Sequence, residues 1–181
     1  MTGQSSAERA QDLLSDLLGA GATFRPSQLD AILGLVDDTS RMLVVERTGW
    51  GKSIVYFIAT RILRERGAGP TLLVSPLLSL MRNQIDAAER LGLTAETINS
   101  SQSLDRRSEV ERRIDADEVD LLLVAPERLA DERFIQNTLS RLGSGIGMLV
   151  VDEAHCISDW GHDFRPDYMR IRRILRELPP E

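Results

Sequence analysis

The sequence predicts an α/β domain in which a parallel β-sheet is covered by helices on both faces. Short, almost wholly apolar runs alternate with longer segments whose apolar residues recur at helical spacing. This is the pattern of strands buried between two layers of helices. Two polar motifs directly follow such runs. Because ligands of these sheets bind beyond the carboxyl ends of the strands, both motifs are expected to lie at one edge.

The helices are predicted from apolar residues at three- and four-residue spacing and from the glycines and prolines that bound them. Leu13 and Leu17, for example, pair one turn apart. The predicted helices cover residues 5–18, 26–36, 52–66, a segment ending near Gly92, the strongly charged segment 104–115, part of the stretch between 124 and 146, and a final helix from Pro166.

The strands are predicted from short runs rich in leucine, isoleucine and valine, separated by glycine and polar turn residues. They cover residues 42–45, 71–75, 94–98, 120–124 and 146–151. No repeat, linker or low-complexity tract interrupts the alternation, so a single domain is expected over 1–181.

Composition limits the class of protein. Hydrophobic residues make up 42% of the 181 and charged residues 28%, as in an ordinary globular domain. The net charge of −6 counts weakly against nucleic acid, although a whole-chain sum does not exclude a local basic strip. A single cysteine excludes an internal disulfide and indicates a reducing, cytoplasmic location. No apolar run approaches about 18 residues, so no membrane association is predicted.

The first polar motif, residues 48–53, follows a predicted strand and opens a predicted helix. Its glycines permit positive φ, and its backbone amides with the helix N-terminus form a nest for anions. The strict P-loop pattern is incomplete, because Glu46 stands at its first glycine. A chance Gly-Lys-Ser turn is the alternative. We expect phosphate or nucleotide contact, with lysine on the phosphates and serine on Mg²⁺, from Thr48, Gly49, Trp50, Gly51, Lys52 and Ser53.

The second motif places two carboxylates directly after a predicted strand. Asp152 is predicted to hold Mg²⁺, and Glu153 to orient and deprotonate the attacking water. The alternative is an acidic helix cap. His155 has no second histidine at metal-ligand spacing and is interpreted as a coupling residue between two sites, and Cys156 as a small buried residue. Together the motifs predict ATP hydrolysis with ATP and Mg²⁺ bound.

The chain resembles the RecQ-like DNA helicases of superfamily 2. The resemblance extends over about residues 22–168 and rests on five segments that occur in the family's order. They read FRPSQ at 24–28, TGWGKS at 48–53, SPLLSL at 75–80, PERL at 126–129 and DEAHCISDWGHDFRP at 152–166. The resemblance implies a RecA-like P-loop NTPase domain, the first of two in an ATP-driven 3′-to-5′ motor that acts on single-stranded or partly duplex DNA.

The family's functional residues carry over at matching positions. Gln28 is implied to read the adenine edge, with Arg25 nearby; from residues alone, Gln28 reads as a helix-surface glutamine. Aromatic and basic residues after the acidic motif are implied to form a loop that senses single-stranded DNA, the alternative being a core role for Trp160 and Phe164. Stacking on aromatic rings suits such a loop. The implied DNA contacts are Ser79, Asn99, Ser100, Arg128, Trp160, His162, Phe164 and Arg165.

The sequence departs from the family pattern in several places. Gly21 stands where an adenine-stacking aromatic is common, and Arg47, Trp50 and Asp159 replace a usual proline, glycine and glutamine. The chain also ends before the family's next strand, which would lie between the strands at 42–45 and 146–151. A truncated domain that lacks strand pairing at that gap, and lacks the second RecA-like domain, is therefore expected not to unwind DNA.

Three functions follow from these observations. The first is the N-terminal ATP- and DNA-binding motor domain of a RecQ-like helicase. The second is a module that binds nucleotide and nucleic acid without turnover. The third is a P-loop ATPase that acts on a protein partner, with the aromatic loop as a protein contact.

Overall fold

The computed structural model describes residues 4–38, 41–76, 78–98, 102–134, 145–157 and 166–171. Its centre is an all-parallel sheet of four strands: β1 (Thr71–Val74), β2 (Ala95–Ile98), β3 (Leu121–Val124) and β4 (Met148–Val151). The strand order is β2-β3-β1-β4, so β1 and β3 are central. The predicted α/β class with a parallel sheet is confirmed.

The helices lie close to their predicted bounds. They are α1 (Ser6–Leu18), α2 (Gln28–Val36), α3 (Lys52–Glu65), α4 (Leu78–Arg90), α5 (Leu104–Asp115) and the single turn α6 (Glu132–Phe134). Short 3-10 turns cover Pro126–Ala130, Ala154–Ile157 and Pro166–Arg170. The helix predicted from Pro166 therefore begins as a 3-10 turn that is followed by a helical residue, Ile171, and residues 172–181 lie outside the described part of the chain. In the described ranges, no helix has the length and apolar character needed to cross a bilayer.

The strands bury alternate side chains in two separate cores. In β1, Leu73 faces the core formed with α1 to α4, whereas Leu72 and Val74 face the core formed with α5 and the later turns. All four residues of both central strands are buried. This alternation is the period-two geometry of a strand covered on both faces. The layered architecture brings the carboxyl ends of β1 and β4 to one edge.

The predicted strand at 42–45 is wrong. This segment has no regular secondary structure, and the side chains of Leu43 and Val45 are 78% and 81% exposed. In the described sheet β4 pairs with β1 alone, and its four residues are only half-buried. An apolar run becomes a strand only when a neighbour supplies its backbone hydrogen bonds. Here β4 presents an open edge, and the run at 42–45 has no described ladder partner.

An ion pair joins the first helix to the third. Arg9 of α1 donates two hydrogen bonds to the Glu65 carboxylate, at 3.0 and 2.7 Å, and Arg61 donates another at 2.9 Å. The bond from Arg9 lowers the pKa of Glu65 most, with a further contribution from Arg61. The folded state therefore binds a proton at Glu65 less readily than the unfolded chain does.

Replacing Glu65 by glutamine is expected to lower the free energy of unfolding at pH 7 by about 0.5–1 kcal/mol, because a partly exposed pair, with side chains 29% and 32% exposed, contributes little more. The pair's contribution is fully present above the unfolded carboxyl pKa and is lost as pH falls through the lower folded value. Urea denaturation at pH 7 and at pH 3 measures both effects. Glu89→Gln, at an exposed position of α4, is the control; an equal loss at both pH values would contradict the assignment.

Candidate active site

The phosphate turn connects the exposed segment 41–47 to α3. Gly49 and Gly51 have φ of 81° and 95°, in the left-handed region that favours glycine. A side chain at Gly51 would also meet the amide nitrogen of Gln28 at 2.8 Å. Helix α3 begins at the next residue, and no described side chain caps its N-terminus. Its first backbone N–H groups are therefore suited to an anionic ligand.

Lys52 lies at the first position of α3 and is the single lysine of the sequence. Its ammonium folds back over the turn, where Nζ donates to the carbonyl oxygens of Glu46 at 2.7 Å and Arg47 at 3.5 Å. The Lys52 ammonium, next to a helix N-terminus, is therefore hydrogen-bonded to neutral carbonyl oxygens. A phosphate oxygen is a stronger, charged acceptor, so the arrangement suits exchange of these bonds for phosphate contacts.

Gln28 and Arg25 hold the turn from the α2 side. Gln28 is only 2% exposed, and its Nε2 donates to the carbonyls of Trp50 at 3.0 Å and Gly51 at 3.3 Å. Its Oε1 accepts from the Arg25 backbone at 2.8 Å, and the Arg25 guanidinium donates to the Gly49 carbonyl. The interpretation of Gln28 as a surface residue is therefore wrong. Its adenine contact stays a prediction, because this amide already bonds to the turn.

The acidic motif stands where β4 ends. The backbone N–H of Asp152 donates to the Val74 carbonyl at 2.9 Å, which continues the pairing with β1. Its carbonyl accepts from the Tyr168 hydroxyl at 3.0 Å, and its Oδ1 accepts from the backbone N–H of Glu153 at 3.0 Å. Asp152 is thus held through both its backbone and its carboxylate at the strand's carboxyl end.

Glu153 has φ of 51°, in a region that non-glycine residues rarely adopt. Such strained residues cluster at functional sites. Its Oε2 lies 3.2 Å from Nδ1 of His155, whose side chain is 60% exposed. The two neighbouring carboxylates therefore have different partners, and their metal and water roles stay predictions. The contact also brings the predicted coupling residue to the predicted base.

A hydrogen-bonded path joins the acidic motif to the helix of the phosphate turn. Nε2 of Gln84, on α4, lies 3.3 Å from Oδ2 of Asp152 and 3.2 Å from the hydroxyl oxygen of Tyr56. Tyr56 follows Ser53 by one turn of α3. Burial, and secondarily the charge of Asp152, raises the pKa of Tyr56, so its phenol stays neutral. The two motifs, far apart in sequence, therefore meet in one region.

Sequence reasoning missed Tyr56 and Gln84. A signal existed for Gln84, since it lies three residues after Met81 and four before Ala88, on a face predicted from apolar residues. A polar residue on an inward face needs a partner. Nothing local in the sequence identifies Asp152 as that partner.

Among the predicted DNA contacts, Arg128 is the residue whose side chain the structure describes. Arg128 is 8% exposed, pairs with Asp131 at 3.0 Å and lies 5.6 Å from the ring centre of Phe134. Its guanidinium is therefore not presented to solvent in this structure. The side chain of Ser79 and the residues Asn99, Ser100, Trp160, His162, Phe164 and Arg165 lie outside the described part of the chain.

The donor atoms at this edge fit Mg²⁺. Across the described residues, no group of three His, Cys, Asp or Glu side chains could hold a metal by itself. Mg²⁺ is characteristically held by one or two carboxylates together with waters and substrate phosphates. Asp152, and the half-buried hydroxyl-bearing Ser53 at the start of α3, are the residues that would hold it.

A sequence model of the DEAD/DEAH box helicase family matches residues 25–181. The chain belongs to this family. It is similar to the ATP-dependent DNA helicase RecQ of Bacillus subtilis, with 39% identity over 94% of the chain and 27% of the relative. The RecQ of Haemophilus influenzae is 37% identical over 87% of the chain and 24% of the relative. The ATP-dependent DNA helicase Q-like 5 of Arabidopsis thaliana is 38% identical over 98% and 19%.

These matches confirm the resemblance to RecQ-like helicases and the presence of a DEAD/DEAH box helicase domain. The chain spans between 19% and 27% of the length of these three relatives. The matched region begins at Arg25 and includes both the phosphate turn and the acidic motif. The two motifs joined in the structure are thus both within the helicase domain.

Proposed function

We propose that the chain is the ATP- and DNA-binding first motor domain of a RecQ-like 3′-to-5′ DNA helicase. One observation carries the proposal: the Tyr56–Gln84–Asp152 path brings the helix of the phosphate turn and the acidic motif to one edge of the sheet. A nucleotide there would contact an ammonium, helix N-terminal amides and two carboxylates together. The relatives' names, which specify ATP-dependent DNA helicases, support the same proposal.

In this proposal the turn binds the triphosphate. Lys52 exchanges its bonds to the Glu46 and Arg47 carbonyls for phosphate oxygens. Ser53 and Asp152 would hold Mg²⁺, which when bound would neutralise charge that develops on the phosphates. Gln28 and Arg25 keep the turn in place, and Gln28 is the proposed contact to the adenine edge, with Arg25 nearby. These residues supply binding and orientation, which phosphoryl transfer depends on most.

Glu153 is the proposed base. Water attacks the γ-phosphorus while its proton passes to the Glu153 carboxylate, and the bond between that phosphorus and the β,γ-bridging oxygen breaks. ADP and inorganic phosphate leave. His155, 3.2 Å from Glu153, is placed to respond to this change in charge. Coupling through His155 to the loop that contains Trp160 and Phe164 would link hydrolysis to the hold on a DNA strand.

Other features belong to the intact protein. Translocation on single-stranded or partly duplex DNA is proposed to need a second RecA-like domain that supplies an arginine to the γ-phosphate. We further propose that 1–181 belongs to a single RecA-like domain of that motor and that the protein acts in the cytoplasm. Turnover is therefore proposed to be weak wherever the second domain is not supplied.

Replacing Trp160 and Phe164 together by alanine is expected to weaken binding of a labelled single-stranded oligonucleotide at least tenfold, since stacking contributes about 1–3 kcal/mol per base. Fluorescence anisotropy with and without a Mg-ATP analogue measures both the affinity and its coupling to nucleotide. Leu18→Ala, at an exposed apolar position on α1, is the control.

The same titration, repeated over a range of salt concentrations and combined with a single-turnover ATP hydrolysis assay, separates the three functions. DNA affinity that depends on nucleotide and weakens with salt supports the motor domain. Nucleotide and DNA binding without turnover under single-turnover conditions would identify a binding module. ATP hydrolysis with no salt-sensitive oligonucleotide binding by the folded chain would favour an ATPase with a protein partner.

A further inference from the structure

Gln84 on α4 is the one described side chain that contacts both the metal-site carboxylate and the helix of the phosphate turn. Its Nε2 lies 3.3 Å from Asp152 Oδ2 and 3.2 Å from the Tyr56 hydroxyl. Tyr56 is buried and belongs to α3, while Asp152 follows β4. The amide therefore bridges three elements at the edge where the nucleotide is proposed to bind.

The chemistry of the partners determines which way the amide points. A carboxylate only accepts hydrogen bonds, so the nitrogen of Gln84 has to face Asp152. Its oxygen then faces elsewhere. That Oε1 is inaccessible to solvent and has no hydrogen-bond partner among the described residues.

An orphaned buried acceptor calls for an explanation. Turning the amide over would give Oε1 the Tyr56 proton but would set an oxygen against the carboxylate of Asp152. The carboxylate of Asp152 therefore keeps the Gln84 amide in the orientation that leaves Oε1 without a donor.

We infer that Gln84 is a positioning residue for the metal site: its Nε2, 3.3 Å from Oδ2 of Asp152, fixes the rotamer of that carboxylate. The inference rests on the proposed function, because it assigns a role within that same nucleotide site. Tyr56 orients the amide from α3. Residues that orient a metal ligand commonly change metal affinity by about 10–100-fold when they are replaced.

The test is Gln84→Met, which keeps the length of the side chain and removes the amide. The Mg²⁺ concentration needed for half-maximal binding of a fluorescent ADP analogue (MANT-ADP) is expected to rise about 10–100-fold. Affinity for the same nucleotide in EDTA is expected to stay unchanged, because Lys52 and the turn remain intact. Gln11→Met is the matched control: Gln11 is a half-buried helical glutamine of α1 that donates to the Ala22 carbonyl at 2.8 Å.

A structural role would give a different result. If Gln84 only packs the elements together, Gln84→Met will lower the melting temperature and weaken binding equally with and without Mg²⁺.

A double-mutant cycle sharpens the distinction. In an Asp152→Asn background, Gln84→Met should no longer shift the Mg²⁺ dependence, because its effect acts through the carboxylate. An unchanged Mg²⁺ midpoint in the single variant, or a shift that persists in the Asp152→Asn background, overturns the inference.

Failure of the proposed function can be distinguished from failure of the inference about Gln84. If the proposed function is wrong, the folded wild-type chain will not bind MANT-ADP with or without Mg²⁺. If Gln84→Met does not fold, Gln84→Leu also lacks the amide and is shorter, and the same Mg²⁺ comparison applies to it. Circular dichroism and the melting transition of each variant establish folding before the titration.

Discussion

Lys52→Ala is expected to lower affinity for MANT-ATP by at least about tenfold, equivalent to about 1.4 kcal/mol, and to reduce any ATP turnover by about 10²–10³. Lys52 is the single lysine of the chain and stands at the first position of α3. Its ammonium is held on two neutral carbonyls that a phosphate oxygen would replace. No other residue of the turn 48–53 carries a positive charge.

The control for this change is Lys52→Arg. It keeps the charge but replaces a compact ammonium by a planar guanidinium, so partial affinity without normal turnover is expected. Equilibrium titration followed by fluorescence gives the affinity, and single-turnover hydrolysis gives the rate. Unaltered MANT-ATP binding by folded Lys52→Ala protein would remove the phosphate turn from the proposed site.

Glu153→Gln is expected to reduce single-turnover ATP hydrolysis by about 10²–10⁴, the usual contribution of a general base, while nucleotide affinity stays within about twofold. The amide keeps the size of the side chain but cannot take the proton from water. Loss of rate without loss of binding would assign Glu153 to the chemical step. A binding role would instead weaken affinity and rate together.

The backbone of Glu153 makes this test informative. Its left-handed backbone is unchanged by a glutamine side chain, so the turn at 152–153 should persist. Glu89→Gln, an equivalent change at an exposed position of α4, is the control. Wild-type chain that binds nucleotide but shows no turnover would assign this chain to the binding-module function. Equal turnover by Glu153→Gln and wild type would exclude Glu153 as the base.

Most of the fold was predictable because its signals are local. The central strands β1 and β3 are short apolar runs bounded by turns, and α1 carries a complete capping box between Ser5 and Glu8. The run at 42–45 has equal apolar character, yet Met42, Leu43 and Val45 are exposed. A strand also needs a partner for its backbone, and apolar composition does not encode whether that partner is present. Pairing is a property of the sheet and is invisible in the run itself.

The candidate site was also predictable only in part. The glycines and lysine of the phosphate turn and the carboxylates of the acidic motif were recognisable because their chemistry depends on residues adjacent in sequence. The contact between Gln84 and Asp152 spans 68 positions and could not be derived from local spacing. The burial of Gln28 has the same origin, since the carbonyls that hold its amide belong to a turn more than 20 residues away.

The lone lysine also decides how this protein should be handled. Reagents that couple to amines, such as the activated esters used to attach dyes or immobilise proteins, have one side-chain target here, and it lies on the phosphate turn. Labelling at Lys52 would replace the ammonium that the nucleotide is expected to meet. Attachment of the protein to a surface through a cysteine would instead use Cys156, which is buried. Isotopic dimethylation of Lys52 adds little bulk and keeps the charge, so it would provide a single side-chain NMR signal that reports on the turn.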